Sequence, residues 1–282
     1  MKCIAIGVLL VTVGFTQTDP VIEVKPGPQV IKDKDIYDNT GIVHPFRRMP
    51  RYILADQKAI WTSPFHTAKS DIKWWAIFGG ATAVAIATDH WTSTHLPNSS
   101  SQISVSTWAS RAGSAYVLIP VSAGFYFIGT AKHDDRFRET GLIAFETLID
   151  ATIVGEAIKL VGDRARPTES NGRGHFFDSP NARWDSSFPS GHAMSAWAMA
   201  SVIAHEYPKP IVYVVVYGLA TTVVAARVGA RRHFPGDVIA GGAAGWFIGD
   251  YVYGRRHNRA LDKKAPIVRR ILDHVQIGAT IE

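Results

Sequence analysis

The sequence is short of cysteine, of charge and of regular β patterns, and each shortage narrows what the chain can be. A single cysteine, Cys3, occurs in 282 residues, so the body of the chain can form neither a disulfide nor a thiolate metal site. Charged residues make up only 19% and hydrophobic residues 46%, which is apolar for a soluble protein. No apolar stretch alternates strictly with polar residues as a half-buried strand would. A basic stripe interleaved with aromatic residues is also missing, so we expect no nucleic-acid partner.

Positive charges outnumber negative ones. Lys and Arg total 30 against 24 Asp and Glu, which gives a net charge of +6 and an isoelectric point near 9.4. Such a balance favours an anionic partner, either an anionic lipid surface or an anionic substrate.

Six apolar stretches follow Asp71, and polar, glycine or proline residues separate them. They occupy about 72–89, 112–131, 141–161, 191–205, 210–226 and 238–253. Stretches of this length without strict alternation are typical of helices. The sequence therefore predicts an all-α fold, a six-helix bundle.

The N-terminal part has a different composition. The first twenty residues, MKCIAIGVLLVTVGFTQTDP, carry one lysine and then an apolar run, which predicts a signal peptide over 1–17. Six prolines interrupt residues 18–71, so we expect an irregular N-terminal arm there. The helical domain would span 72–254, and a basic C-terminal tail would follow over 255–282.

The relation of the bundle to a membrane has two interpretations. A helix needs roughly 20 apolar residues to cross a bilayer, and only 112–131 reaches that length without a charge. We expect an exported protein of the cell envelope, periplasmic and membrane-associated. The alternative is an integral membrane protein with about six spans, which would place both basic ends of the chain on the inside.

Three polar clusters lie at the ends of the apolar stretches. The first is KLVGDRARP at 159–167, the second is PSGH at 189–192, and the third is ARVGARRHFPGD at 226–237. The second cluster begins a helical stretch, and the free amides of a first helical turn attract phosphate-like anions. The clusters bring a lysine, arginines and two histidines to helix ends, which predicts a site for an oxyanion.

The spacing of these residues resembles that of the type 2 phosphatidic acid phosphatase (PAP2) superfamily, which also includes bacterial acid phosphatases and vanadium-dependent haloperoxidases. The family pattern reads K-x6-RP, then PSGH, then SR-x5-H-x3-D. The matching residues here are Lys159, Arg166, Pro167, Pro189, Ser190, Gly191, His192, Arg227, His233 and Asp237. Ala226 stands where the family has serine. The resemblance covers about 140–253 and implies a helical bundle of the PAP2 and acid phosphatase type.

The resemblance also implies a role for each matching residue, and the chemistry of phosphoryl transfer supports these roles. Cations and hydrogen-bond donors would surround the phosphoryl oxygens: Lys159, Arg166, Ser190, Gly191 and Arg227. His233 would attack phosphorus and form a phosphohistidine, while Asp237 would hold its imidazole in the right tautomer. His192 would protonate the leaving oxygen and then activate water.

These roles predict a metal-independent phosphatase, a phosphoric ester hydrolase acting on phosphate monoesters or pyrophosphates. The apolar helices favour a phosphorylated lipid, such as phosphatidic acid or a polyprenyl pyrophosphate, over a small phosphate ester. The alternatives are a broad-range soluble periplasmic acid phosphatase, a vanadium-dependent haloperoxidase and a non-catalytic lipid-binding protein. We expect no metal ligands and no cofactor, because the cations of the clusters would repel a metal ion.

Other residues have open interpretations. The aromatic residues of the 168–188 link, among them Phe177 and Trp184, form either a lid over the site or a plain surface loop. Glu146 and Asp150, four residues apart, are expected to pair with a cation inside the bundle. The sequence leaves open whether three further arginines belong to the anion site: Arg164, Arg231 and Arg232.

Overall fold

The computed structural model describes residues 44–66, 72–180 and 183–264. These residues form eight α-helices and contain no strand: His44–Thr62 (α1), Ile72–His95 (α2), Ser100–Ser110 (α3), Ala115–Lys132 (α4), Asp135–Gly162 (α5), Gly191–Glu206 (α6), Pro210–Gly229 (α7) and Pro235–Arg256 (α8). Four short 3-10 turns occur at Ser63–His66, Arg111–Gly113, Arg183–Asp185 and Arg259–Lys264. The predicted signal peptide, and parts of the predicted arm and tail, lie outside the described residues.

The all-α prediction is confirmed, and each of the six predicted helices exists. The predicted bounds are close to those of α2 and of α4 to α8, although α5 begins six residues earlier than the predicted 141. Its start is fixed by the side chain of Asp134, which accepts a hydrogen bond from the Phe137 amide (3.0 Å). A further short helix, α3, precedes α4.

The predicted arm differs from the structure, because part of it is the helix α1. Pro45 stands in the first turn, where the missing amide costs nothing, and Pro50 lies inside the helix. Met49 and Ile53, one turn apart, pack in a cluster with Leu142 of α5. Burial of this apolar face outweighs the single backbone hydrogen bond that Pro50 removes, so the segment is helical and not irregular.

The helices α5, α6 and α8 form the centre of the bundle. Their contacting faces make the largest apolar cluster, which includes Ile143, Leu148 and Val154 of α5, Met194 and Val202 of α6, and Ile248 and Val252 of α8. The other helices lie around this centre, with α4 against α5, α7 against α6 and α2 against α8. The central helices therefore determine where the polar clusters meet.

Glycines bring α8 unusually close to α6. A methyl group on Gly245 would lie 2.0 Å from the Met194 carbonyl oxygen, and one on Gly241 would lie 2.5 Å from that of Ser190. No side chain fits at these two positions, since real Cβ contacts are far longer. This close packing holds the start of α6 against the first turns of α8.

The predicted tail begins inside the bundle. Arg256 ends α8 and is 5% exposed, and His257 directly after it is 8% exposed. Both side chains are surrounded by buried carboxylates of α1, α5 and α6. The first residues of the basic tail are thus part of the core rather than of a solvated extension.

The outer helices expose many large apolar side chains. Examples are Trp75 and Trp91 on α2, Phe127 on α4, and Val214 and Leu219 on α7. Two stretches of the described chain are long and apolar enough to cross a membrane, Ser100–Lys132 and Pro210–Gly229. The sequence predicted this length without a charge only for 112–131, because Arg111 and Arg227 interrupt the two longer stretches.

Candidate active site

The three polar clusters meet at one end of the bundle. The Ser190 amide, at the start of α6, donates to the Asp237 carbonyl (3.0 Å) in the first turn of α8. A methyl group placed on Gly191 would lie 3.7 Å from Nζ of Lys159, in the last turn of α5. Segments that are distant in the sequence therefore share one pocket.

Two of the predicted cations are oriented by acidic neighbours. Lys159 Nζ lies 2.7 Å from the Glu156 carboxylate, one turn back on α5. Arg166 donates to the Asp185 carboxylate (2.6 Å) and to the Arg232 carbonyl (3.1 Å). Each carboxylate occupies only part of the donor set of its cation, so further donors are available to an anion.

The third cation, Arg227, has a different environment. It lies in the last turn of α7, and its closest hydrogen-bond partner is the Ser110 hydroxyl at 3.4 Å. Its Nε is buried and has no hydrogen-bond partner among the described residues. None of the ion pairs formed by those residues involves Arg227. Shielding part of a guanidinium from water without an anion is costly, and a bound oxyanion would relieve that cost.

His233 lies in the turn between α7 and α8 and is 4% exposed. Its Nδ1 lies 2.7 Å from the Ser187 carbonyl oxygen. Because a carbonyl can only accept, Nδ1 carries the proton and Nε2 keeps its lone pair. The carboxylate of Asp237 is farther from Nδ1, at 3.7 Å. The contact expected from Asp237 is therefore made by the Ser187 carbonyl instead.

Other donors occupy the Asp237 carboxylate. Its Oδ1 accepts from Arg164 (2.6 Å), and its Oδ2 accepts from the Ser187 hydroxyl and from the Phe234 amide (2.8 Å). The residue is fully buried. Asp237 thus fixes the turn that carries His233.

Arg164, which the sequence left open, lies at the centre of a buried clamp behind the pocket. Its side chain is 1% exposed and binds Asp89 of α2 (2.8 Å) as well as Asp237 (2.6 Å). The guanidinium lies 4.7 Å and 4.4 Å from the ring centroids of Phe176 and Phe234. Arg164 thereby joins α2, the link after α5 and the start of α8. The sequence offered no signal for Asp89, since its partner lies in a distant segment.

His192 stands in the first turn of α6 and faces the cations. Burial lowers its pKa to about 3, and repulsion from Arg227, His233, Lys159 and Arg166 adds to the effect. Burial also lowers the pKa of His233, to about 4. Both imidazoles are therefore neutral at pH 7 unless an anion enters the pocket.

Ser190 caps α6 in a way that leaves its proton available. Its Oγ accepts from the Ala193 amide (3.4 Å) through an oxygen lone pair. The hydroxyl hydrogen is left for a second partner. The free amides of this first turn, that of Gly191 among them, point toward the positive end of the helix dipole, where anions bind.

An open cavity of about 640 Å³ adjoins the pocket. Its lining is mostly polar or cationic and consists of Asn98, Ile103, Pro167, Thr168, Asn171, Ala230, Arg231 and Arg232. Arg232 borders both spaces, because its carbonyl accepts from Arg166. Arg231 and Arg232 therefore lie beside the pocket and not around its centre.

The aromatic residues of the 168–188 link divide into two groups. Phe176 packs on Phe188 with ring centroids 5.4 Å apart and lies over Arg164. Phe177 and Trp184 are 75% and 69% exposed. The link is therefore anchored through Phe176, while two large rings project outward near the pocket.

The fold and the site together define an all-α protein with a pocket that is lined by cations and holds two neutral histidines. Residues 140–260 match the model of the PAP2 superfamily. The match agrees with the resemblance of the motifs over this part of the chain.

Two curated relatives are lipid A 1-phosphatases. The chain is 32% identical over 132 residues to that of Rhizobium etli, which covers 44% of this chain and 56% of the relative. It is 32% identical over 131 residues to that of Rhizobium johnstonii, and this match covers 44% of this chain and 53% of the relative. The chain thus spans about half the length of the curated relatives it matches. Among solved structures, a transmembrane PAP2 type phosphatidylglycerolphosphate phosphatase from Bacillus subtilis has a TM-score of 0.45 and 21% identity, covering 80% of this chain and 99% of that one.

Proposed function

We propose that the chain is a metal-independent phosphatase that hydrolyses the phosphate monoester or pyrophosphate of a lipid through a phosphohistidine. The observation that carries the proposal is the half-buried guanidinium of Arg227, whose buried Nε has no hydrogen-bond partner among the described residues. It shares the pocket with two neutral histidines and two more cations. Such a pocket is complementary to a multiply charged oxyanion.

His233 is the nucleophile of this mechanism. Its Nδ1–H donates to the Ser187 carbonyl, so the Nε2 lone pair is free to attack phosphorus. A bond forms between Nε2 and phosphorus as the bond from phosphorus to the leaving oxygen breaks. Lys159, Arg166 and Arg227 hold the equatorial oxygens during this transfer.

His192 moves the protons. The incoming phosphate adds negative charge beside it and raises its pKa from about 3, so that His192 can donate a proton to the leaving oxygen. Water then attacks phosphorus and gives a proton back to His192. The bond between Nε2 and phosphorus breaks, and inorganic phosphate leaves.

The donor set argues against a metal ion at this site. The Asp237 carboxylate already accepts from Arg164, Ser187 and Phe234, so it is not available as a ligand. The three cations also repel a further positive charge. We therefore expect the reaction to proceed in the presence of a chelator.

Three features favour a phosphorylated lipid over a soluble ester. The outer helices expose large apolar side chains, and two stretches are long enough to cross a bilayer. The polar cavity of about 640 Å³ beside the pocket suits a headgroup. The curated relatives carry the name of a lipid phosphatase. We accordingly place the protein in the membrane of the cell envelope.

The test is phosphate release by the purified protein in EDTA, from phosphatidic acid, a polyprenyl pyrophosphate and a soluble aryl phosphate. We expect release from at least one of the lipids, and a loss of roughly 10⁴-fold or more in the variant His233→Ala. His175→Ala is the matched control, since His175 is exposed and lies outside the pocket.

The outcomes separate the alternatives. Equal activity of His233→Ala and wild type would show that His233 is not the nucleophile. High activity on the aryl phosphate alone would indicate a broad-range acid phosphatase instead of a lipid phosphatase. Rapid quenching with a phosphorus-labelled substrate would trap the intermediate. Label that stays on His233 and is lost in acid would identify it as a phosphohistidine.

A further inference from the structure

Three buried side chains converge at the end of the bundle opposite the candidate active site. Glu139 lies near the start of α5, Glu206 ends α6, and His257 directly follows α8. The two glutamates are 0% exposed and the histidine is 8% exposed. One ligand atom from each lies within 4.8 Å of the others. Two buried carboxylates and an imidazole are thus held together by three different helices.

Hydrogen bonds within the protein do not satisfy this cluster. His257 Nδ1 lies 3.1 Å from Glu139 Oε1, which also accepts from the Asn258 amide (2.7 Å). The same Nδ1 is 3.5 Å from Glu206 Oε1. Neither carboxylate oxygen of Glu206, nor Oε2 of Glu139, has a hydrogen-bond partner among the described residues. The His257 nitrogen lies closer to Glu139, and neither oxygen of the fully buried Glu206 accepts a hydrogen bond from the described residues.

The second nitrogen of His257 is engaged in the way that metal-bound histidines require. Its Nε2 lies 3.0 Å from the Asp262 carboxylate. Histidine ligands commonly present one nitrogen to the metal and donate the other N–H to a carboxylate. Without an ion, Nδ1 carries a proton and donates to Glu139. A bound ion would displace that proton and take the Nδ1 lone pair, while Nε2 stays with Asp262.

The distances fit a shared ion. Zinc bonds of about 2.1 Å in a tetrahedron place neighbouring ligand atoms about 3.4 Å apart. The distances from Nδ1 to the two glutamate oxygens, 3.1 Å and 3.5 Å, lie close to this value. The nearby Arg136 donates to Asp262 and to the carbonyls of Glu206 and Leu261, so it does not replace the ion at the glutamate oxygens.

We propose that Glu139, Glu206 and His257 bind a divalent transition-metal ion of the zinc type. Two carboxylates balance its charge, and the neutral imidazole completes three of four tetrahedral positions. The ion would join the start of α5, the end of α6 and the end of α8. It lies far from the phosphoryl chemistry, so its role is structural, and it is independent of the proposed function.

A second acidic cluster shows why a cation is needed here. Asp56, Glu146 and Asp150 also lie within reach of one another, but Arg256 pairs with Glu146 (2.9 Å) and with Asp56. This cluster already contains its cation. The Glu139, Glu206 and His257 cluster has no comparable arginine on its carboxylate oxygens among the described residues.

The experiment uses the full-length protein, purified without a polyhistidine tag, stripped with EDTA and titrated with Zn²⁺. Metal content after dialysis, the Kd and the Tm are measured. We expect one zinc per chain and a higher Tm on zinc addition. Glu206→Gln keeps the shape of the side chain and every histidine, and it should raise Kd by on the order of 100-fold or more.

Two further variants sharpen the result. Asp262→Asn removes only the partner of the ligand histidine and should weaken zinc binding by about 10- to 100-fold. Asp150→Asn, in the second acidic cluster, should leave zinc binding unchanged.

A wild-type protein that takes up no stoichiometric zinc would overturn the proposal, whatever the variants do. Equal zinc uptake by wild type and Glu206→Gln would assign the metal to other residues. If wild type binds no zinc and Glu206→Gln, also without zinc, has the same Tm as wild type, Glu206 holds a proton instead of sharing a metal ion. Phosphate release in EDTA is measured beside these titrations, so failure of the metal site and failure of the phosphatase proposal are separate results.

Discussion

The central helices α5, α6 and α8 each run between two ends of opposite electrical character. On α5, Lys159 and Glu139 are twenty residues apart, which is about 30 Å along a helix. On α6, His192 stands in the first turn and Glu206 at the last position. One end of the bundle thus collects cations, and the other collects buried carboxylates.

The two ends differ in how their charge is balanced. At the first end, the half-buried Arg227 has an Nε without a hydrogen-bond partner among the described residues, and the pocket is complementary to an anion. At the second, the oxygens of the buried Glu206 accept no hydrogen bond from the described residues, while Arg256 pairs with the neighbouring Asp56 and Glu146. A buried charge that the described chain leaves unbalanced indicates the sign of what binds there, and a balanced one indicates only packing.

The largest effect is expected from breaking the balanced cluster. Arg256→Met leaves Asp56 and Glu146 buried without their cation, so the free energy of unfolding should fall by about 3–5 kcal/mol. Denaturant unfolding measures it. Arg255→Met is the matched control, because Arg255 is exposed, and its effect should stay within about 0.5 kcal/mol. An unchanged stability of Arg256→Met would refute the view that this arginine balances the acids.

An arginine-to-methionine change at the cationic end of the bundle should lower activity and leave stability unchanged. Arg227→Met removes a half-buried cation that has no carboxylate partner among the described residues, so stability should not fall. The kcat/KM for phosphate release should drop by about 10²- to 10³-fold, as for loss of one oxyanion-binding group. Arg183→Met is the control, since Arg183 is exposed. A destabilised protein with normal activity would assign Arg227 a structural role instead.

The comparison also shows how far the sequence could lead. The six apolar stretches predicted the helices, because their length and lack of alternation reflect burial on a helical face. The helix α1 was missed, since Pro45 and Pro50 suggested an irregular arm, and only tertiary packing against α5 reveals its apolar face. Helix propensity describes only the local preference of each residue. In α1 the packing of Met49 and Ile53 against α5 outweighs the unfavourable propensity of proline.

For the site, short-range motifs were informative and long-range partners were not. Lys159, His192 and His233 could be singled out because each stands in a cluster with recognisable spacing. The Arg164 clamp could not, since Asp89 and Asp237 reach it from separate helices. Glu146 was expected to pair with a cation, and Arg256 provides it. Asp150 instead accepts from Gln57 (2.8 Å), which the sequence did not indicate.

The smallest predicted effect is on the pH dependence of anion affinity, which tests whether the pocket takes up a proton when it binds an anion. The pKa of His192 is lowered to about 3 and that of His233 to about 4 in the anion-free pocket. A bound dianion raises both values, so the complex holds more protons than the free protein. Affinity should therefore rise as pH falls from 7 toward 4, by up to about tenfold per pH unit for one proton.

Sulfate is the suitable probe, because its charge is constant over this range and any pH dependence comes from the protein. Sulfate binding measured by calorimetry should lose most of its pH dependence in His192→Gln and keep it in the exposed-site control His175→Gln. Measuring His233→Gln in parallel separates the two imidazoles. If sulfate affinity in wild type is the same at pH 4 and pH 7, neither histidine takes up a proton from solvent when the anion binds. His192 would then have no means of becoming the acid that the proposed mechanism requires.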